Sequence, residues 1–250
     1  GLWVDWERDP VAGGMKHGSP RNHQTSIPGL FACGECDGAY HGANRLGANS
    51  LLSASFSGRV AGEAAAAYIK GGARTARPDA SAALQQECRR QEEIDQGLLS
   101  SAGTENPFAL HRELGQVMTD KVGVERDNRS LDEALGRLAE LEERSRRLGL
   151  DDHGPWANAS LAYARQVQDM IVLARVIAAG ARLRDECRGS HHKPEFEMEI
   201  PEGKFPGDPE FEDYVARWKE NNERWLKSTV ARHTLDGPAI EFRAVDTSVL

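Results

Sequence analysis

With 250 residues, a formal net charge of −8 and 6% aromatic residues, the chain can hold one large domain or two small ones and lacks the basic, aromatic-rich surface of a nucleic-acid groove. It has no run of about 18 apolar residues to span a bilayer and no charged segment followed by an apolar one that reads as a secretory signal. The four cysteines, Cys33, Cys36, Cys88 and Cys187, show no disulfide-framework spacing, which points to a reducing, cytoplasmic compartment.

In chain order, the opening GLWVD (residues 1–5) reads as a strand and residues 7–26 as a long polar loop. PGLFACGE (28–35) is a short apolar run closed by Gly34, which predicts a buried strand ending in a turn. From Asn49 the period lengthens. Leu52, Phe56, Val60, Ala64, Ala67 and Tyr68 fall at helical spacing, and Gly71-Gly72 closes the helix. Residues 1–72 are therefore α/β in character.

Residues from about 78 to 188 read as helical. The stretch 78–95 has a poor apolar stripe and predicts a solvated outer helix. Asn106-Pro107 is an N-cap followed by proline at the first helical position, ahead of a stripe of Leu110, Leu114, Val117 and Met118. Ser130 and Glu133 have capping-box spacing before Leu131, Leu135 and Leu138. Gly154-Pro155 opens the longest predicted helix, running about 50 Å to Cys187. Along it Ala164, Val167, Ile171, Ala174, Ala178 and Ala181 form a seam of small residues that lets neighbouring helices approach closely. Gly180 is its weak point, at about 1 kcal/mol relative to alanine. In the tail, Asp208-Pro209 starts a helix with Phe211, Val215, Trp218 and Trp225 on one face, and PAIEFRAVD (238–246) alternates as an edge strand does.

The chemistry concentrates in HGANRLGANSLL (41–52). A helix beginning at Asn49-Ser50 presents unpaired N–H groups and a positive dipole end, which stabilise an anion. Gly42 and Gly47 let the backbone approach a flat ligand. Arg45 lies within a turn of that site, and arginine grips a carboxylate with two parallel hydrogen bonds. Glu35, at the end of a predicted strand, has the position of an acidic residue that takes a ribose hydroxyl. These residues describe a nucleotide-like cofactor beside a carboxylate substrate; the alternative is a glycine-rich connection into a helix, with Arg45 on the surface.

SIPGLFACGECDGAYHGANRLGANSLL (26–52) resembles the flavoprotein subunit of succinate dehydrogenase and fumarate reductase. The likeness continues through LGQVMTDKVGVER (114–126), ARQVQDMIVLARVIAAGARLRDECRGSHHKPEF (164–196) and the closing PAIEFRAVDTSVL, and is loosest over 198–232. HGANRLGANSLL is shared with L-aspartate oxidases, whereas RDECRGSHHKP (184–194) and GLWVDW point to the succinate/fumarate branch.

The resemblance implies a fold of α/β plus all-α type. Residues 1–72 would be the C-terminal piece of an FAD-binding Rossmann-like domain, 73–197 a helical-bundle domain, and 198–250 a short mixed tail with one helix and a terminal strand. It implies that Glu35 contacts the FAD ribose, that Arg45 binds a carboxylate of succinate or fumarate, and that Ser50 and Leu51 meet the flavin ring from the helix N-terminus. There the dipole would stabilise negative charge on the reduced ring. The implied partners are an iron–sulfur subunit and a membrane cytochrome b subunit carrying electrons to quinone, with the protein peripheral on the cytoplasmic, inner face of the cell membrane.

Nothing in the chain reads as G-x-G-x-x-G after a first strand. In the family that fingerprint, the FAD-linking histidine and the capping domain with its proton-transferring arginine belong to the N-terminal half. A substrate-binding histidine just precedes the glycine pair that leads into LWVD. The chain opens inside that pair, so the resemblance implies the C-terminal portion of a longer flavoprotein, with one wall of the active site and no catalytic residue of its own. An L-aspartate oxidase-like flavoenzyme and a non-catalytic docking module are the other readings.

Other tempting residues read as structural. Cys33-Gly-Glu-Cys36 has no second cysteine pair to make a metal site, and Cys33 falls in the predicted buried strand. Tandem His191-His192 rarely face one site, and the resemblance gives that turn a structural or interface role. His41 reads as an orienting hydrogen-bond partner or a flavin contact, and the Trp218/Trp225 face as packing.

Overall fold

The computed structural model describes residues 1–38, 41–72, 80–234 and 237–245. The chain divides into two compact units, Gly1–Ala82 and Ala83–Val245. About half of it is helical, and the one sheet among the described residues has two strands.

The first unit sets hydrogen-bonded loops on one long helix, α1, Asn49–Lys70. Its start and its close at Gly71, whose N–H donates to the Ala67 carbonyl, are where the sequence puts them. The two predicted strands do not form. Among the described residues of this unit, extended segments meet only through isolated pairs such as Leu2 with Asp37, Val4 with Thr25 and Gln24 with Phe31. Pro28-Gly29 and Gly34 interrupt the second run, and Gly34 sits at φ +75°, so too few residues remain extended to build a ladder. Within that run Ala32 is buried but Cys33 is exposed, contrary to the buried-strand reading.

The buried face of α1 also differs from the expected stripe. Leu52 and Phe56 are 68% and 57% exposed, while Ser57, Ala61 and Ala64 are buried. The partner of α1 here is loop backbone, and small side chains allow that close approach. A Cβ placed on Gly29 would already touch the Tyr68 ring at 3.4 Å, and Phe31 meets the same ring edge-on, with centroids 6.0 Å apart.

The second unit is a helical bundle. α2 (Ala80–Leu99) is the solvated helix expected, held at its C-terminal end by Ile94 and Leu98. α3 (Pro107–Val122), α4 (Asn128–Ser145) and α5 (Ala159–Arg182) pack pairwise around Leu110, Leu131, Leu138, Leu141, Val167 and Ile171. Asn106 caps α3, its Oδ1 accepting from the Phe108 and Ala109 N–H groups. The cap of α4 is Asp127 rather than Ser130. Its Oδ1 accepts from the Ser130 N–H at 2.8 Å, while Glu133 pairs with Lys121 and Arg129.

All six residues of the α5 seam are buried. The helix is shorter than expected, 24 residues or about 36 Å. Asn158 caps its start, donating to the Asp152 and Gly154 carbonyls and accepting from the Leu161 N–H. At the other end Lys193 Nζ donates to the Arg182 carbonyl. Gly180 does not break it. α6 (Pro209–Trp225) starts at Asp208 as expected, and Trp225 is buried against Phe242, but Trp218 is 48% exposed. The tail holds two strands rather than one. β1 (Lys227–Thr234) and β2 (Gly237–Ala244) pair antiparallel, Val230 opposite Glu241.

Candidate functional site

Residues 29–36 run along α1 toward its N-terminus, from Gly29 and Phe31 at Tyr68 to Gly34 at Ser57. The Gly34 N–H donates to Ser57 Oγ at 2.9 Å, and that hydroxyl donates onward to the Ala54 carbonyl. Ser57 is fully buried, so this bond docks the 3-10 turn Gly34–Cys36 on the helix. Glu35 is exposed at the middle of that turn, not at the end of a strand as expected.

The start of α1, eight residues before Ser57, is about 12 Å further along the axis. Ala48 occupies the cap position at φ 64° and supplies no side-chain acceptor. The Asn49 N–H reaches the Leu46 carbonyl at 3.3 Å. Ser50 and Leu51 are exposed, Leu51 at 82%. Arg45 is exposed in the preceding loop, with one long bond of 3.3 Å from Nη1 to the Leu46 carbonyl. A helix start whose cap residue has no side-chain acceptor, next to a guanidinium, is a place for negative charge and a planar carboxylate. His41 is half-buried in the same loop.

Three residues that sequence reasoning passed over organise this unit: Ser57, His23 and Asp37. His23 Nδ1 meets Asp37 Oδ2 at 2.8 Å, with side chains 7% and 0% exposed. The signal for Ser57 was a serine on a face of alanines; the sequence gives none for a pair fourteen residues apart.

In the second unit, RDECRGSHHKP forms an ionic turn. Glu186 is fully buried and accepts from Arg184 and Arg188. Arg184 also donates to the carbonyls of Trp225 and Lys227, tying the hairpin to the bundle. The two tandem histidines part company. His191 lies between the Arg126 guanidinium and the Arg184 carbonyl, and His192 pairs with Glu197 on the surface. Burial holds the His191 imidazole below its ordinary pKa, and burial lowers Arg126 as well. Among the described residues, no group of three or more His, Cys, Asp or Glu side chains could hold a metal ion, and no helix is long and apolar enough to cross a membrane.

Residues 111–250, the greater part of the chain, match the family described as fumarate reductase flavoprotein C-term. The chain belongs to this family. Residues 15–51 of this flavoprotein chain match the FAD binding domain family, a match that ends in the first turn of α1. It is 38% identical to the succinate dehydrogenase flavoprotein subunit of Bacillus subtilis over 100% of its own length and 37% of the relative's. With the fumarate reductase flavoprotein subunit of Haemophilus influenzae it shares 34% identity over 90% of its own length and 34% of the relative's. Its structure superposes on the FrdA chain of E. coli quinol fumarate reductase with TM-score 0.73 and 30% identity, covering 92% of this chain and 36% of that one. The chain thus spans about a third of the length of the relatives it matches.

Proposed function

We propose that this chain supplies the C-terminal wall of an FAD-dependent oxidoreductase that interconverts succinate and fumarate. Electrons leave through an iron–sulfur subunit and a membrane cytochrome b subunit to quinone, and the protein is peripheral on the inner face of the cell membrane. In this reading residues 1–72 complete a Rossmann-like FAD-binding domain, 73–197 form the helical domain and 198–250 its tail. The observation that carries the reading is the start of α1, where the cap residue Ala48 offers no side-chain bond and the exposed Arg45 leads in. The order of residues along α1 supports an extended cofactor, with Glu35 on a ribose hydroxyl and the helix start at the flat ring.

FAD, when bound, accepts a hydride from succinate or returns one to fumarate. Arg45 would hold one substrate carboxylate by its planar fork and so orient the substrate beside the cofactor. The amides at Ser50 and Leu51, with the α1 dipole behind them, would hold the ring end of the cofactor and favour negative charge there. The apolar Leu51 side chain, exposed at the helix start, would cover that face of a bound ring.

The test is kinetic, in the native protein with whatever chain precedes and follows these residues. Arg45→Lys keeps the charge and loses one of two charge-assisted bonds worth about 1.5–3 kcal/mol each, so kcat/KM for succinate falls about 10- to 150-fold with flavin content unchanged. Arg45→Ala falls further. Near-normal turnover of succinate by Arg45→Ala would make the arginine structural and end this reading.

A further inference from the structure

We infer that His23 and Asp37 are a positioning pair, whose buried hydrogen bond holds the Glu35 turn in the geometry that binds FAD. The inference rests on the role proposed above for Glu35.

The two residues join segments far apart in sequence. The His23 N–H donates to the Asp5 carbonyl at 2.9 Å, and its own carbonyl accepts from the Ala32 N–H at 3.0 Å. Its imidazole then reaches Asp37, 2.8 Å away. The Asp37 N–H in turn donates to the Gly34 carbonyl at 3.2 Å, which closes the turn that carries Glu35. The turn is therefore held at both ends, at Gly34 by Ser57 Oγ on α1 and at Asp37 by His23. Glu35 is exposed between these two anchors.

Stability alone is a poor account of this arrangement. Taking a carboxylate and an imidazole out of water carries a desolvation penalty that well-packed apolar residues of similar size avoid. His23 also sits at φ 60°, a left-handed conformation that is uncommon outside glycine and that histidine, like asparagine and aspartate, adopts more often than other side chains. A buried polar pair and an uncommon backbone conformation coincide at His23, which bonds the residue that closes the Glu35 turn. A directional bond offers what apolar packing does not, a single position for the backbone at Asp37 and hence for Glu35. Glu35 then meets the ligand without first being ordered.

The experiment is FAD titration of the native protein prepared flavin-free from a riboflavin-limited host, following the visible spectrum of bound flavin, with any covalently linked fraction measured after acid precipitation and subtracted. His23→Ala and Glu35→Gln each raise the half-saturating FAD concentration about 10-fold. The double variant is no weaker than Glu35→Gln alone, because the pair acts only through Glu35. His23→Asn keeps an N–H donor and tolerates φ 60°, and stays within about twofold of the native protein. If His23→Ala does not fold, Asp37→Asn, which keeps the shape and one acceptor oxygen, gives about a threefold rise that vanishes in the Glu35→Gln background.

Effects that multiply in the double variant, to about 100-fold, overturn the inference and leave the role of Glu35 standing. Failure of His23→Asn to restore binding also overturns it. A Glu35→Gln variant with native FAD affinity overturns the inference together with the role of Glu35.

Discussion

Lys193 heads the fully buried side chains of the described residues, and each of its ammonium hydrogens has an acceptor: Asn128 Oδ1, Asp185 Oδ1 and the Arg182 carbonyl, at 2.8 to 3.2 Å. Lys193→Met leaves two of these without a partner, while the part-exposed Asp185 is rehydrated. A loss of about 1–3 kcal/mol is expected on urea unfolding. His191 gives the pH dependence. Its Nδ1 accepts from Arg126 Nη1 and its Nε2–H donates to the Arg184 carbonyl, both at 2.8 Å, so a proton on Nδ1 would face a guanidinium. Burial, with the charges of Arg126, Lys193 and Arg184, sets the folded pKa below the ordinary 6.5. The unfolded chain therefore binds the proton first as pH falls. This contribution is full above pH 6.5 and is lost as pH drops through the unfolded value toward the folded one. The thermal midpoint should fall between about pH 7.5 and 5.5, and less steeply in His191→Asn. An equal slope in the two proteins would show that other groups set it.

At the scale of elements, what the sequence displays depends on what each element packs against. The α5 seam is legible residue by residue because its partners are other helices, and burial there follows the 3.6-residue period. α1 is not. Loop backbone covers it, so Ser57, Ala61 and Ala64 go in and Leu52 and Phe56 stay out. β1 is obscure because Val230 is its only buried residue, which leaves little alternation to read. The α4 cap was misread by three residues because Ser130 and Glu133 have the right spacing while Asp127 accepts the bond. Asp127→Ala should cost about 0.5–2 kcal/mol in thermal or urea unfolding. Ser130→Ala should cost clearly less, and the reverse order would restore the capping box. Ile171→Ala, in the middle of the seam, should cost about 2–5 kcal/mol.

For the whole molecule, the two units differ in what holds them. The large apolar core lies in the second, around α3, α4 and α5. Among the described residues of the first, the buried hydrophobic ones are Val4, Ala32, Ala61 and Ala64, and hydrogen bonds between loops do much of the rest. Hydrogen exchange should therefore protect the amides of 164–181 strongly and those of 2–31 weakly; uniform protection would contradict it. The family was legible because the loop into α1 and the ionic turn at 184–194 are continuous in sequence. The His23–Asp37 pair was not, since only the folded chain brings the two together. If Arg45 holds a dicarboxylate beside bound FAD, the flavin difference spectrum of the native protein titrated with malonate, a dicarboxylate that cannot be oxidised to fumarate, reports it directly. A saturable spectral change is expected in the native protein, and its disappearance in Arg45→Ala at equal flavin content. An unchanged response in Arg45→Ala would contradict it.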